Sequence, residues 1–236
     1  NHRLVETLDG DGIDVKIEIY EGEKFTVERI DVLGNNVTND SVIRGEMIID
    51  EGDAYSAILL NKSVNKLKAR NIFSNVKSRI KEGSEANLKI IEIDVEEKAT
   101  GELMAGAGVG TDGTSFMAAV SENNWLGRGI KLQSTLNVSE EKLSGAIMVS
   151  NPNYNYSGNA VFGSFSLASS DLTNSSGYES SSTGISLGTE FEQYENIYLA
   201  PSFSMKHETI EAEDTASAQI KKMDGTYTNA DLYYGI

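Results

Sequence analysis

From Gly101 to Ile236, apolar side chains recur at every second position in segment after segment, with almost no pattern at the helical spacing of three to four. Such a stretch is committed to sheet. The clearest segment sets Ile130, Leu132, Leu136 and Val138 against Lys131, Gln133, Thr135 and Asn137. Similar alternation runs through Leu103 to Val109, Phe116 to Val120, Leu143 to Val149, Val161 to Leu167, Ile185 to Phe191, Ile197 to Met205 and Ala230 to Ile236. That predicts about eight strands of roughly nine to eleven residues, the length a tilted membrane-crossing strand needs.

A soluble β-sandwich also alternates, so the second face decides. Here it is rich in Ser, Gly, Thr, Asn and Gln, which suits a wet lumen better than a sealed core. Short connections are expected at Asn124-Trp125, Asn151 to Tyr156 and Glu192 to Asn196, and long polar loops at Ser169 to Ser182 and Glu208 to Asp224 on the opposite side. Trp125, Tyr154, Tyr156, Tyr194 and Tyr198 gather at the short-turn side, where the aromatic girdle of a barrel lies; Trp125, Tyr154 and Tyr156 are its candidates. No run approaches the roughly 18 to 20 apolar residues of a spanning helix. The expected fold is therefore an incomplete antiparallel transmembrane β-barrel, the N-terminal half of a larger one, over residues 99–236.

The first hundred residues mix both periods, as an α+β module does. Ile13, Val15, Ile17 and Ile19 alternate with Asp14, Lys16 and Glu18, a half-buried strand. Phe25 to Leu33 reads as a strand with a register slip that turns Phe25, Val27, Ile30 and Val32 inward. Thr38 can cap a short helix carrying Val42, Ile43 and Met47, and Ser56 a longer one with Leu60, Val64 and Leu67 on one face. Strands Asn75 to Lys81 and Leu88 to Glu96 follow, giving strand, helix, helix, strand, strand over residues 24–98. Ile13 to Glu21 echoes Leu88 to Glu97, an Ile/Val strand ending in acids, so residues 1–23 read as the tail of a preceding copy. The sequence is thus expected to be a piece of a longer protein, with further strands after Tyr233-Tyr234-Gly235-Ile236.

Composition excludes several functions. Twenty Lys and Arg against thirty-six Asp and Glu leave a net charge of −16, which repels a phosphate backbone, so nucleic acid is not an expected partner. With no cysteine and only His2 and His207, placed at a frayed start and at a loop entrance, no catalytic constellation and no metal site is expected. Glu208, Glu211, Glu213 and Asp214 read as a solvated loop more readily than as a weak cation site. Gly106-Ala107-Gly108-Val109-Gly110, with Gly113, leads into another strand and opens no helix, so no nucleotide cofactor is expected.

Several runs resemble one family, the outer-membrane assembly factors typified by BamA, in which tandem POTRA modules precede a sixteen-stranded barrel. Asp40-Ser41-Val42-Ile43-Arg44-Gly45-Glu46-Met47, Glu51-Gly52-Asp53-Ala54-Tyr55 and Arg70-Asn71-Ile72-Phe73 resemble its last POTRA module, and Val95 to Leu103 the linker into the first barrel strand. Asn123-Asn124-Trp125-Leu126-Gly127-Arg128-Gly129 resembles the first periplasmic turn, and Ser150-Asn151-Pro152-Asn153-Tyr154 the next. Gly45 departs from the family, which tends to have a second Arg there, and is expected to affect only a local surface contact.

The resemblance implies a non-enzymatic factor that folds and inserts outer-membrane barrels without cofactor, by templating strands at a lateral gate helped by bilayer thinning. It implies an outer-membrane location with the module in the periplasm, and as partners unfolded β-barrel clients, periplasmic assembly lipoproteins and outer-membrane lipid. The gate strand would be Gly101, Glu102, Leu103, Met104, Ala105, Gly106, Ala107, Gly108 and Val109, whose small residues weaken pairing; an ordinary barrel strand is the plainer reading. Val76, Lys77, Ser78, Arg79 and Ile80 form a candidate edge strand for a client or partner, although basic residues on an edge equally guard against aggregation. A POTRA-bearing two-partner secretion or transport channel is the alternative function, and a soluble binding sandwich a third.

Overall fold

The computed structural model describes residues 2–9, 12–19, 23–110 and 113–236. An N-terminal ribbon pairs β1 (His2–Asp9) with β2 (Gly12–Ile19), antiparallel. The alternation of β2 thus makes a strand, but Val15 and Ile17 are 53% and 59% exposed rather than half-buried, because the ribbon is a two-stranded sheet apart from the other sheets of the described residues. His2 starts a paired strand instead of a frayed end. Tyr20 and Glu21, which complete the expected repeat, lie outside the described residues, as does Asp112 beside Gly113.

The α+β module follows in the expected order: β3 (Thr26–Leu33), α1 (Asp40–Arg44), α2 (Ala57–Ala69), β4 (Phe73–Glu82) and β5 (Leu88–Glu97). Its sheet runs β3-β5-β4, with β3 parallel and β4 antiparallel to the central strand. The irregularity between Val27 and Arg29 is the register slip that brings both Val27 and Ile30 inward. Ser56 caps α2 by accepting the Leu59 N–H, and Leu60, Val64 and Leu67 form its buried stripe. They meet Ile43, Ile49, Ile91, Ile93 and Val95 in a core wholly confined to the module. Each such side chain contributes about 1.5–3 kcal/mol. Val32 reaches only its margin, and Phe25, half-buried, is not part of it.

Thr38 does not cap α1. Asn39 holds that position without a side-chain bond, and Thr38 is buried for another purpose. Ser63, fully buried, donates to the Leu59 carbonyl and accepts the Ile48 N–H, tying α2 to the loop that precedes it.

The remainder is one eight-stranded antiparallel sheet in simple meander order: β6 (Gly101–Gly110), β7 (Gly113–Trp125), β8 (Ile130–Ser139), β9 (Lys142–Asn151), β10 (Ala160–Asp171), β11 (Tyr178–Tyr194), β12 (Ile197–Ala212) and β13 (Gly225–Gly235). Among the described residues no second sheet covers it, so they do not form the sandwich. Register carries one apolar face across every strand: Leu103, Val120, Ser134, Ile147, Phe165, Ile185, Met205 and Ala230 are successive partners. Leu103, Val120, Ile147, Phe165, Ile185 and Met205 are 41% to 79% exposed, as befits a surface whose solvent is lipid. No described helix is long and apolar enough to cross a membrane.

Four strands outrun their predicted length, β7 with 13 residues and β10 with 12 by little, β11 and β12 by more. β11 has 17 residues and β12 has 16, so the loops expected over Ser169 to Ser182 and Glu208 to Asp224 shrink to the segments around the short helices α3 (Thr173–Ser176) and α4 (Ala218–Lys221). Polar residues pair as well as apolar ones in an antiparallel ladder, as Thr209 and Thr226 do with hydroxyls 3.2 Å apart. His207 lies within β12, bonded to Thr228, not at a loop entrance. The connection between β9 and β10 is longer than expected and contains a 3₁₀ turn, Tyr154–Tyr156.

Candidate functional surface: an uncovered strand edge above a docked module

β6 ends the eight-stranded sheet. It pairs with β7 at ten positions, from Gly101 with Glu122 to Gly110 with Gly113, and its other edge has no partner among the described residues. All ten of its residues are exposed and four are glycine. Past Gly101, where a Cβ would stand 3.0 Å from Glu122 Oε2, the glycines leave space: a Cβ at Gly106 would meet only Met117 Cε at 4.0 Å, and one at Gly108 only Ser115 Oγ at 3.4 Å. The run from Gly101 to Val109 that the sequence singled out is therefore a single exposed strand with little side-chain packing.

In the module the two sheet edges differ. The outer edge of β3 is closed by the Gly52–Tyr55 segment: the Tyr55 N–H donates to Phe25 O and the Val27 N–H to Asp53 O, both at 2.8 Å. The outer edge of β4 carries no such cover among the described residues. Val76 points into the core and Ile80 is 48% exposed. The basic residues are largely occupied: Arg79 reaches Glu92 at 3.2 Å and Asp94 at 2.6 Å, and Lys81 also pairs with Glu92. They neutralise the acids of β5, which leaves the backbone of the edge as its open feature.

The two halves touch, which the residue patterns did not foretell, and their contact is a buried polar site. Asn124, 7% exposed, donates from Nδ2 to Thr38 Oγ1 at 2.9 Å and accepts the Gly129 N–H at Oδ1, 2.8 Å away. Gly127 O accepts the Asn39 N–H at 2.8 Å, and Gly129 O accepts Arg70 Nη2 at 2.7 Å. The glycines of this turn are required: φ is +69° at Gly127 and +65° at Gly129, and a Cβ at Gly127 would stand 2.1 Å from Val37 O. Arg70 lies 3.5 Å from Glu46, both 10% exposed, and burial lowers the Arg70 pKa while Glu46 opposes it.

The next turn docks beside the first. Asn153 Nδ2 donates to Gly45 O at 2.9 Å and to Glu46 Oε1 at 3.1 Å. Gly45 is not a peripheral surface position: a Cβ there would be 2.3 Å from Tyr156 Cδ1, so its bareness admits the ring. Behind the joint, Glu97 at the end of β5 accepts the N–H groups of Asn36, Val37 and Thr38 at 3.0, 3.0 and 2.6 Å. Burial raises its pKa, but the Thr38 hydroxyl and these N–H groups outweigh that and hold it lowered. Trp125, Tyr154 and Tyr156 all lie at this end and remain 44%, 56% and 56% exposed.

The residues 25–98 match the POTRA family, described as a surface antigen variable number repeat, and 124–236 match the Omp85 superfamily domain. The chain is 29% identical over 237 residues to the outer membrane protein assembly factor BamA of Buchnera aphidicola, covering 94% of this chain and 36% of that protein. It is 25% identical over 228 residues to BamA of Nitratidesulfovibrio vulgaris, covering 95% and 28%. The sequence thus spans about a third of the length of these relatives. Among solved structures, BamA from Haemophilus ducreyi lacking POTRA domains 1–3 superposes with a TM-score of 0.70 at 19% identity, covering 99% of this chain and 47% of that one. CdiB from Escherichia coli does so with 0.60 at 14%, covering 99% and 45%. The family places the barrel strands in the outer membrane and the module in the periplasm. A POTRA module docked under an open run of barrel strands, matched over both halves, makes this chain a BamA-like fragment.

Proposed function

We propose that the protein of which this chain is part folds and inserts outer-membrane β-barrels, with β6 acting as the template strand of a lateral gate. The observation that supports this most directly is the uncovered, glycine-rich edge of β6. Its free N–H and C=O groups face a layer poor in water, where each bond formed with an incoming strand contributes about 1 kcal/mol or more. Because so few side chains pack on β6, an entering strand has little to displace. The step is β-augmentation and uses neither catalysis nor cofactor. The clients are unfolded outer-membrane β-barrel proteins.

The open edge of β4 is a second augmentation site in this reading, for a client segment or for a periplasmic assembly lipoprotein. Residues 1–23 are the tail of a preceding POTRA module, and 24–98 and 99–236 are the last module and the N-terminal part of the barrel. Trp125, Tyr154 and Tyr156 form the periplasmic girdle.

The full-length protein, reconstituted in lipid vesicles, tests the reading. Cross-linking β6 through a cysteine placed between Gly101 and Val109 to the last barrel strand should abolish insertion of an added unfolded barrel protein, and reduction should restore it. Insertion that proceeds with the strand locked defeats the proposal. The likeness to CdiB chains means that fold alone does not exclude a POTRA-bearing transport channel. Large steady conductance, without any effect on client folding, would assign the protein to that alternative.

A further inference from the structure

Between the module and the sheet lies a cavity of about 400 Å³ that the strand-templating reading leaves unused. Arg128, Asn151, Asn155, Tyr154, Tyr156 and Ser41 line it, with the Arg70–Glu46 pair at its floor. Arg128 is exposed and has no acidic partner among the described residues. Arg70 and Glu46 cancel, so the cavity carries a net positive charge in a chain whose overall charge is −16.

Two of its walls belong to the lipid-facing surface. Ile130 lies on the face of Leu132 and Leu136, and Asn151 on that of Val149, so these two lining residues stand at the turn end of the apolar face. The turn that supplies the aromatics is held in an unfavourable backbone state. Asn155 and Tyr156 are consecutive non-glycine residues with φ of +53° and +57°, kept there by the docking of Tyr156 over bare Gly45 and of Asn153 onto Gly45 O.

We propose that this cavity is a binding site for the phosphate headgroup of one periplasmic-leaflet phospholipid. The Arg128 guanidinium takes the phosphate, Tyr and Asn side chains bond the remaining oxygens, and the acyl chains run along the belt above Ile130. A lipid so held ties the module–barrel joint to the membrane surface. The inference needs the strands to lie in a membrane but does not depend on client insertion.

The test uses the full-length protein in nanodiscs of phosphatidylcholine containing a minor fraction of phosphatidylglycerol or of diacylglycerol, which lacks phosphate. Lipid retained after release is counted by native mass spectrometry, at equal folded fraction judged by heat-modifiable gel mobility. The unaltered protein should keep one phospholipid per chain, and Arg128→Ala should lower retention about tenfold, the loss of one charge-assisted contact. Arg128→Lys should fall between them. Gly45→Ala, which displaces the Tyr156 ring while leaving Arg128 in place, should also lower it. Equal retention by Arg128→Ala, or retention of diacylglycerol as strong as that of phospholipid, overturns the proposal. So does displacement of the lipid by a peptide with a free C-terminal carboxylate but not by its amide, which would assign the cavity to a protein chain.

Discussion

The carboxamide of Asn124, at the end of β7 beside the first turn of the barrel sheet, donates to the hydroxyl of Thr38 in the POTRA module across 2.9 Å of buried interface. Eighty-six residues separate them, and Thr38 in turn bonds Glu97, so the start of the barrel, the module's loop and the end of its central strand share one network. Removing either end leaves the other buried and unpaired. Asn124→Ala and Thr38→Val should each cost about 1–3 kcal/mol, and the pair together less than their sum. A double-mutant cycle on urea unfolding in vesicles would read the coupling, and full additivity would contradict a direct bond.

The turn glycines should separate steric from conformational cost. Gly127→Ala meets the Val37 carbonyl at 2.1 Å, whereas Gly158, with φ of +79°, has nothing within 4 Å of its ideal Cβ. Gly158→Ala should lose only about 1 kcal/mol of backbone preference, and Gly127→Ala clearly more, with release of the module detected by limited proteolysis. Equal effects would mean that the module does not press on this turn.

Glu46→Ala should be more damaging than Glu46→Leu combined with Arg70→Met. The single change leaves the Arg70 guanidinium, 10% exposed, without its acid and should cost about 3–5 kcal/mol. The paired apolar replacement removes both buried charges and should approach neutrality, apart from the lost Arg70 bond to Gly129 O and the lost Asn153 bond to Glu46. Thermal unfolding of the three proteins checks the order.

Acid should loosen the joint. The Glu97 pKa is lowered in the folded protein, so its contribution is fully present above the ordinary glutamate range and is lost as pH falls through the folded value. Protease sensitivity at the module–barrel boundary should therefore rise below about pH 4, and Glu97→Gln should weaken that dependence. A residual acid response is expected from Glu51, whose pKa is also lowered, first by the Ile30 N–H and then by Arg44.

The template role proposed for β6 predicts a loss of activity without loss of fold. Gly106→Val with Gly108→Val introduces side chains that meet nothing closer than 3.4 Å at the Cβ and favours pairing by up to about 1 kcal/mol per site. Client insertion by the full-length protein should slow several-fold while the barrel keeps its resistance to detergent unfolding. An unchanged insertion rate would mean that the looseness of β6 has no role.

Local order was written in the chain. The period of two in Ile130 to Val138, the i, i+4, i+7 stripe of Leu60, Val64 and Leu67, and the Ser56 cap each predicted their element, because each depends on neighbours within a turn or a strand. Strand length was less legible, since the polar ends of β11 and β12 pair as stably as loops would solvate. What tertiary structure alone decided was the use of residues whose partners are remote: Thr38 bonds the barrel rather than its own helix, Gly45 makes room for Tyr156, and Arg70 meets Gly129. A sequence fixes which groups are small, polar or charged, but not which of them become neighbours. Burying a polar group demands a partner, and only the docked module and barrel turns supply it.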